Sequence, residues 1–205
     1  MIKRKPNKIP FNFVFLMLFS ALLIITYCYW ENDIPYFQRD PFINVKKYSP
    51  EIHNELGKYH LEKYTPVIIA LMQQESKGKG GDPMQSSESI GLPPNSIKDP
   101  KESIQIGVKH FRHILTYGQE KQVDFATIIQ AYNMGIGYIN YVAAHGGKHN
   151  EKLAKEFSLL QVKKHPSIYN CKKSFFNSRY PYCYGDYAYS EKVNKNITSL
   201  NEGYN

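Results

Sequence analysis

The sequence is short of cysteine, of acid near its start, and of regular alternation throughout. Three cysteines among 205 residues are too few for a disulfide scaffold and lack the paired spacing of a zinc site. No acidic residue precedes Glu31, and no charge of either sign falls between Ile9 and Trp30. No alternating apolar and polar run of convincing length occurs, which argues against a mainly β protein. There is no internal repeat, no glycine-rich phosphate loop and no HExxH metal motif. The balance is basic, with 26 Lys and Arg against 18 Asp and Glu. Lys3, Arg4, Lys5 and Lys8 alone supply half of the net charge of +8. The remainder is too dilute for a nucleic-acid binder, which clusters its cations; it suits an anionic wall or membrane surface. A hydrophobic fraction of 42% excludes a mainly disordered chain.

What is present begins with the uncharged run itself, 22 residues that are apolar with aromatics at both ends. About 20 such residues span a hydrocarbon core of ~30 Å. The basic cluster before it, and Glu31 and Asp33 after it, predict a cytoplasmic N-terminus and an exported body. The run ends in Tyr-Cys-Tyr-Trp, a poor site for signal cleavage, and Tyr27 before Cys28 does not fit a lipoprotein signal. Residues 1–30 are therefore expected to be a basic stub and a single-pass signal anchor in the cell membrane. Residues 31–48, with two prolines and no helical period, read as a stalk. Residues 49–205 read as an extracellular domain. Export changes the reading of Cys171 and Cys183. They either bridge a Tyr-, Phe- and Lys-rich loop, a closure worth roughly 3 kcal/mol in the loop-entropy view, or stay free thiols.

The exported part reads as a series of helices. Ser49-Pro50 and Thr65-Pro66 place a cap and a proline at helix starts. Asp99-Pro100 with Glu102 resembles a capping box, followed by Ile104, Val108, Phe111 and Leu115 at helical spacing. Asp124 caps FATIIQAYNM, which Gly135 stops; GYINYVAA ends at His145-Gly146-Gly147. Asn150 caps EKLAKEFSLLQVKK, and Asp186 caps a last helix through Ser190 and Val193. Between Ser76 and Asp99 the pattern vanishes into a loop of over twenty residues with four glycines and three prolines, with room for a small hairpin. Loops of that length in a compact domain are usually functional. The expected fold class is mainly α.

Glu75 ends the apolar helix and faces this loop. A carboxyl desolvated there holds its proton near neutral pH, as a general acid must; the alternative is a helix-end Glu in water. Asp82 and Glu88 lie in the same loop, and paired carboxylates are the machinery of glycoside hydrolysis. Gln85 can donate to and accept from sugar hydroxyls and acetamides, and Ser87 lies beside it. Tyr132 and Asn133, at one helix end, either line a cleft or serve as a core Tyr and a helix stop. His110 and His113 share a helix but lack a third ligand, so no metal is expected. Asn196-Ile197-Thr198 is a sequon by pattern only.

These pieces, in order, resemble the lysozyme-like superfamily: QES at Gln74–Ser76, DPMQSSES at Asp82–Ser89, SIQIGVKHF at Ser103–Phe111, and QAYNMG at Gln130–Gly135. The variant DPMQ and the late YGDYAYSEKV at Tyr184–Val193 resemble the bacterial goose-type-like muramidase domain of cell-wall hydrolases in Gram-positive conjugative elements. Soluble lytic transglycosylases are related. The resemblance covers about residues 50–197. It implies a lysozyme-like helical fold, peptidoglycan glycan strands as substrate, and no cofactor. It also implies Glu75 as the catalytic acid, Asp82 as a second carboxylate, and Gln85, Tyr132 and Asn133 as saccharide contacts, with Ser87 and Glu88 placed beside them. A partner in an envelope secretion or conjugation complex is a further implication. The sequence departs from that family in two respects: it lacks the peptidase-type domain that often follows, and residues 165–183, bearing two cysteines, read as an insertion. Three readings follow: a muramidase, a lytic transglycosylase leaving 1,6-anhydro ends, or a non-catalytic wall-binding subunit.

Overall fold

The apolar run at 67–72 is the centre of the fold. Val67, Ile68, Ile69, Ala70, Leu71 and Met72 are all buried, as expected of a helix that is apolar on every face. In the computed structural model, residues 11–32, 40–171 and 179–202 are described, with side chains placed only from 15 to 27 in the first helix. The chain divides into two units, Met1–Pro41 and Phe42–Asn205.

The first unit carries α1 (Phe11–Asn32). Its described side chains, including Phe15, Leu16, Phe19, Leu22 and Ile25, are exposed. Among the described residues no helix is long and apolar enough to cross a membrane. The basic stub, residues 33–39 of the expected stalk, and residues 172–178 of the expected insertion lie outside the described residues.

The second unit is helical, with no strand among the described residues. It comprises α2 (Ile43–Lys46), α3 (Ser49–Gly57), α4 (Thr65–Glu75), α5 (Pro100–Glu120), α6 (Phe125–Met134), α7 (Ile136–Ala143), α8 (Glu151–Lys164) and α9 (Tyr189–Glu202). α4 is packed by α9, α3 and α2, and α6 by α5, α7 and α9. The core is continuous from Ile52 and Leu56 through Ile68 and Leu71 to Phe111, Ile129, Tyr138 and Val193. Each such side chain, fully buried, contributes about 1.5–3 kcal/mol.

Three caps form as expected: Asp99 accepts from Lys101 N at 3.0 Å, Asp124 from Thr127 N at 3.0 Å, and Asn150 from Leu153 N at 2.9 Å. Ser49 and Thr65 differ. Each is the first helical residue, behind Tyr48 and Tyr64, and neither makes the cap bond. Thr65 Oγ1 instead donates to Glu62 O at 2.7 Å, tying α4 to the preceding 3-10 turn. The expected stalk is also shorter than read. Phe42 and Val45 are buried in the core, because two apolar residues three apart lie on one face of a helical turn. The 76–99 loop holds a 3-10 turn at Glu88–Ile90 and no hairpin.

Candidate active site

Glu75 is the last residue of α4, where the chain leaves the buried helix for the long loop. Ser76 makes the exit. Its Oγ donates to Pro83 O at 2.7 Å and accepts from Gly78 N and Lys79 N at 3.0 and 3.2 Å. The Glu75 carboxyl is partly buried. Burial pushes its pKa up from 4.5 to about 7, against the opposing effect of a hydrogen bond donated by Tyr189 Oη; the negative charges of Glu88, Asp82 and Asp186 add to the rise. A group with that pKa is protonated in a substantial fraction of molecules at neutral pH.

Asp82 is used differently. It is 1% exposed, and its two oxygens accept four hydrogen bonds. Oδ1 takes Ser86 N (2.8 Å) and Ser103 Oγ (2.6 Å); Oδ2 takes Ser87 N (3.0 Å) and Ser87 Oγ (2.5 Å). Burial alone would raise its pKa, but these donors outweigh burial and hold the carboxyl below the usual carboxylate range. Ser87 is likewise internal: it is fully buried, and its Oγ also accepts from Ile97 N at 3.1 Å. The network fastens the loop to the start of α5, where Ser103 Oγ accepts from Met84 N and Ser86 Oγ donates to Ser103 O. Gly107 makes room for it. A Cβ there would lie 2.8 Å from Met84 Cβ and 2.9 Å from Ser86 Oγ.

The end of α6 supplies the next wall. The Tyr132 ring stacks near the Tyr189 ring at 6.5 Å between centroids and meets His110 edge-on at 5.0 Å. Burial, then the charge of Glu75, pushes the Tyr132 phenol well above its usual pKa, and burial does the same for Tyr189. Both phenols are therefore neutral donors. Burial holds the His110 imidazole below its ordinary range. Asn133 Oδ1 accepts from Asp186 N at 2.6 Å. Buried Gln130 accepts from Ser190 N at 2.9 Å and donates to Asp186 O at 2.6 Å. Together they dock the start of α9, and with it Tyr189, beside Glu75. The turn before α9 needs Gly185, which has φ +62° and packs against Met134 and Asn133.

The result is an open groove of about 500 Å³. Glu75, Gln85, Ser86, Glu88, Ser89, His110, Tyr132 and Asn133 line it, together with Tyr169, Cys183 and Tyr184 from the late segment. Five of the seven residues picked from sequence thus meet here; Asp82 and Ser87 stand behind the wall. Gln85 is partly committed, its Nε2 donating to Asp82 O and Asn95 Oδ1 at 2.9 Å each. Among the described residues no Lys or Arg lines the groove. No group of three His, Cys, Asp or Glu suited to a metal occurs among the described residues.

Sequence reasoning missed Tyr189 as the partner of the acid. Its signal was the spacing of Tyr189 and Val193, four apart on the buried face of α9. It also missed that Tyr169, Cys183 and Tyr184 reach the groove; of the two alternatives for Cys171 and Cys183 the structure has the disulfide, with Cα atoms 5.3 Å apart.

The lysozyme-like family profile matches residues 43–197. The uncharacterized membrane protein YocA of Bacillus subtilis (strain 168) is 54% identical over 155 residues, covering 76% of this chain and 69% of that protein. The bifunctional muramidase/DL-endopeptidase CwlT of the same strain is 52% identical over 96 residues, or 47% of this chain; the match spans only 28% of that longer protein. A crystal structure from Staphylococcus aureus subsp. aureus Mu50, of a protein similar to a lipoprotein of the NLP/P60 family, superposes with TM-score 0.64 at 37% identity. It covers 75% of this chain and 52% of that one.

Proposed function

The chain belongs to the lysozyme-like family, and from that premise we propose that it is a peptidoglycan hydrolase acting on the glycan strand between N-acetylmuramic acid and N-acetylglucosamine. The observation that carries this reading is Glu75, a carboxyl with pKa about 7 at the edge of a polar, aromatic groove. Protonated Glu75 donates to the glycosidic oxygen as the bond breaks, and the sugar left behind carries oxocarbenium character. Water then adds to the anomeric carbon and gives a reducing end. Gln85, Glu88, Tyr132 and Asn133 hold the strand in the groove. The relative named as a muramidase, 52% identical across the matched part, supports the hydrolytic outcome. A purely wall-binding role has no use for a buried acid tuned in this way.

One observation favours a second reading. Asp82, the expected second carboxylate, is enclosed by four donors, so its role is to hold the loop. Glu75, once deprotonated, is then left as the base, with Glu88 the other carboxylate on the groove. A single base at that place equally serves attack by the muramic 6-hydroxyl, giving a 1,6-anhydro end. Mass spectrometry of peptidoglycan digested by the full-length chain separates the outcomes. Reducing ends are expected; anhydro ends would establish the transglycosylase, and no released fragments would defeat both.

The domain division belongs to the same proposal. Residues 1–30 anchor the chain, a short stalk follows, and the remainder works outside the membrane. Support comes from the uncharged run between Ile9 and Trp30 and from the relative named a membrane protein. Recovery of the chain in the soluble fraction with an N-terminus near Glu31 would replace the anchor with a cleaved signal.

A further inference from the structure

His110 stands on the groove, and no step of the proposed chemistry uses it. Its place follows from α5. Gly107 faces the loop at Met84 and Ser86, and a residue three further on lies one turn along the same face. That residue is His110, and α6 packs on α5, which brings Tyr132 to it. The two rings meet edge-on at 5.0 Å between centroids. The His110 side chain is half-buried, whereas His113, one turn further on, is exposed. Burial lowers the His110 pKa against the opposing effect of the Tyr132 backbone, and the nearby His113 adds to the lowering. His110 is therefore neutral at pH 7 and brings no charge to Glu75.

Tyr132 depends on its ring contacts, because its Oη reaches Met84 O only over a long 3.5 Å. Its ring lies nearly parallel to that of Tyr189, at 6.5 Å and 8°, and Tyr189 Oη donates to Glu75. His110, Tyr132, Tyr189 and Glu75 thus form one connected row, from α5 through α6 and α9 to α4. Aromatic contacts at these distances fix ring orientation as well as burying area. We infer that His110 is a positioning residue, whose ring holds Tyr132 against Tyr189 and so keeps Tyr189 packed over the Glu75 carboxyl. The catalytic consequence rests on the hydrolase reading.

That carboxyl is faced by Tyr189 from α9, Asp186 from the turn before it, Tyr132 from α6, and Asp82 and Glu88 from the loop. Burial is the largest influence on it. Removing the His110 ring loosens the row and admits water, so the carboxyl moves down from about 7 toward 4.5. Loss of the Tyr189 hydroxyl alone works the other way, because its hydrogen bond favours the ionised form.

The test uses the full-length chain with His110→Ala or His110→Phe, and follows peptidoglycan digestion from about pH 5 to about pH 9. Alanine at a half-buried helix position keeps the helix. In His110→Ala the alkaline limb is expected about one pH unit lower. The kcat then falls about fivefold at pH 7 and stays within about twofold at pH 5, with KM within about threefold. A side chain that merely holds the fold would lower activity alike at every pH. His110→Phe keeps an edge-on ring and keeps the wild-type limb and rate within about twofold. An unmoved limb in His110→Ala would overturn the positioning. So would a folded His110→Phe chain that has lost more than about fivefold in kcat, since the ring nitrogens would then be the required part. The displacement is also read without activity. Glu75 costs the wild type stability as pH rises from about 4.5 to about 7, and His110→Ala should lose less of it in urea melts. A parent chain that releases no peptidoglycan fragments would remove the hydrolase reading. The melts still decide the positioning in that case, and an equal pH-dependent loss in the two proteins would overturn it.

Discussion

Replacing Glu75 by Gln is expected to abolish cleavage and, above neutral pH, to make the protein more stable. The two effects have one cause. The folded protein holds the Glu75 carboxyl at about 7 instead of 4.5, so folding favours its protonated form. Stability contributed by a raised carboxyl is unaffected below about pH 4.5 and is lost as pH rises through about 7, because the folded state binds more protons than the unfolded state in that window. The full displacement corresponds to about 3 kcal/mol. Water in the open groove screens part of it, leaving about 1–3 kcal/mol. Gln is neutral throughout, and its carbonyl still accepts from Tyr189. Denaturant melts of both proteins should therefore coincide near pH 4 and separate by about that amount at pH 8, with the variant the more stable. Cleavage falls by about 10²–10⁴-fold or more, because the amide has no proton to give. Wild-type activity declines above pH 7 as Glu75 ionises. A variant no more stable than wild type at pH 8 would show that Glu75 is not held protonated. Activity within threefold of wild type would remove it from the chemistry.

Tyr189→Phe removes the donor that favours ionised Glu75, so the alkaline limb of the pH–activity profile should move upward while the fold loses only about 1 kcal/mol; an unmoved limb would separate Tyr189 from the acid. Asp82→Asn leaves buried N–H and O–H donors without full partners and should cost about 1–3 kcal/mol in a urea melt at pH 7. Because the Asp82 pKa is depressed, its contribution exists above the ordinary 3.8 and is lost as pH falls through its folded value, so the gap should narrow in acid. A variant as stable as wild type but inactive would return Asp82 to a direct chemical role. Gly107→Ala drives a Cβ into Met84 and Ser86; a loss of about 1–3 kcal/mol, with reduced cleavage from the displaced loop, should appear in melts and wall-digestion assays, and wild-type behaviour would show that the loop does not depend on that contact.

Much of the architecture was legible because it is written in local chemistry. Asp99, Asp124 and Asn150 bond amides two or three residues away, and the all-apolar run at 67–72 has only the interior to go to. Glu75, Gln85, Glu88, Tyr132 and Asn133 could be picked because each ends a patterned helix or lies in the one long unpatterned loop. Where a side chain's fate depends on distant partners, the sequence is silent. Asp82 and Glu88 are both loop acids six residues apart. Only the arrival of Ser103 from α5, twenty-one residues from Asp82, buries one and leaves the other on the groove. Phe42 and Val45 read as stalk until the folded core takes them in. Tyr189 reaches Glu75 across 114 residues, and Tyr169 meets Tyr184 edge-on at 4.8 Å between ring centroids. Helix, cap and candidate acid were set by neighbours along the chain. Which acid keeps its proton was set by burial and by partners from other helices, because desolvation and hydrogen bonding act through space.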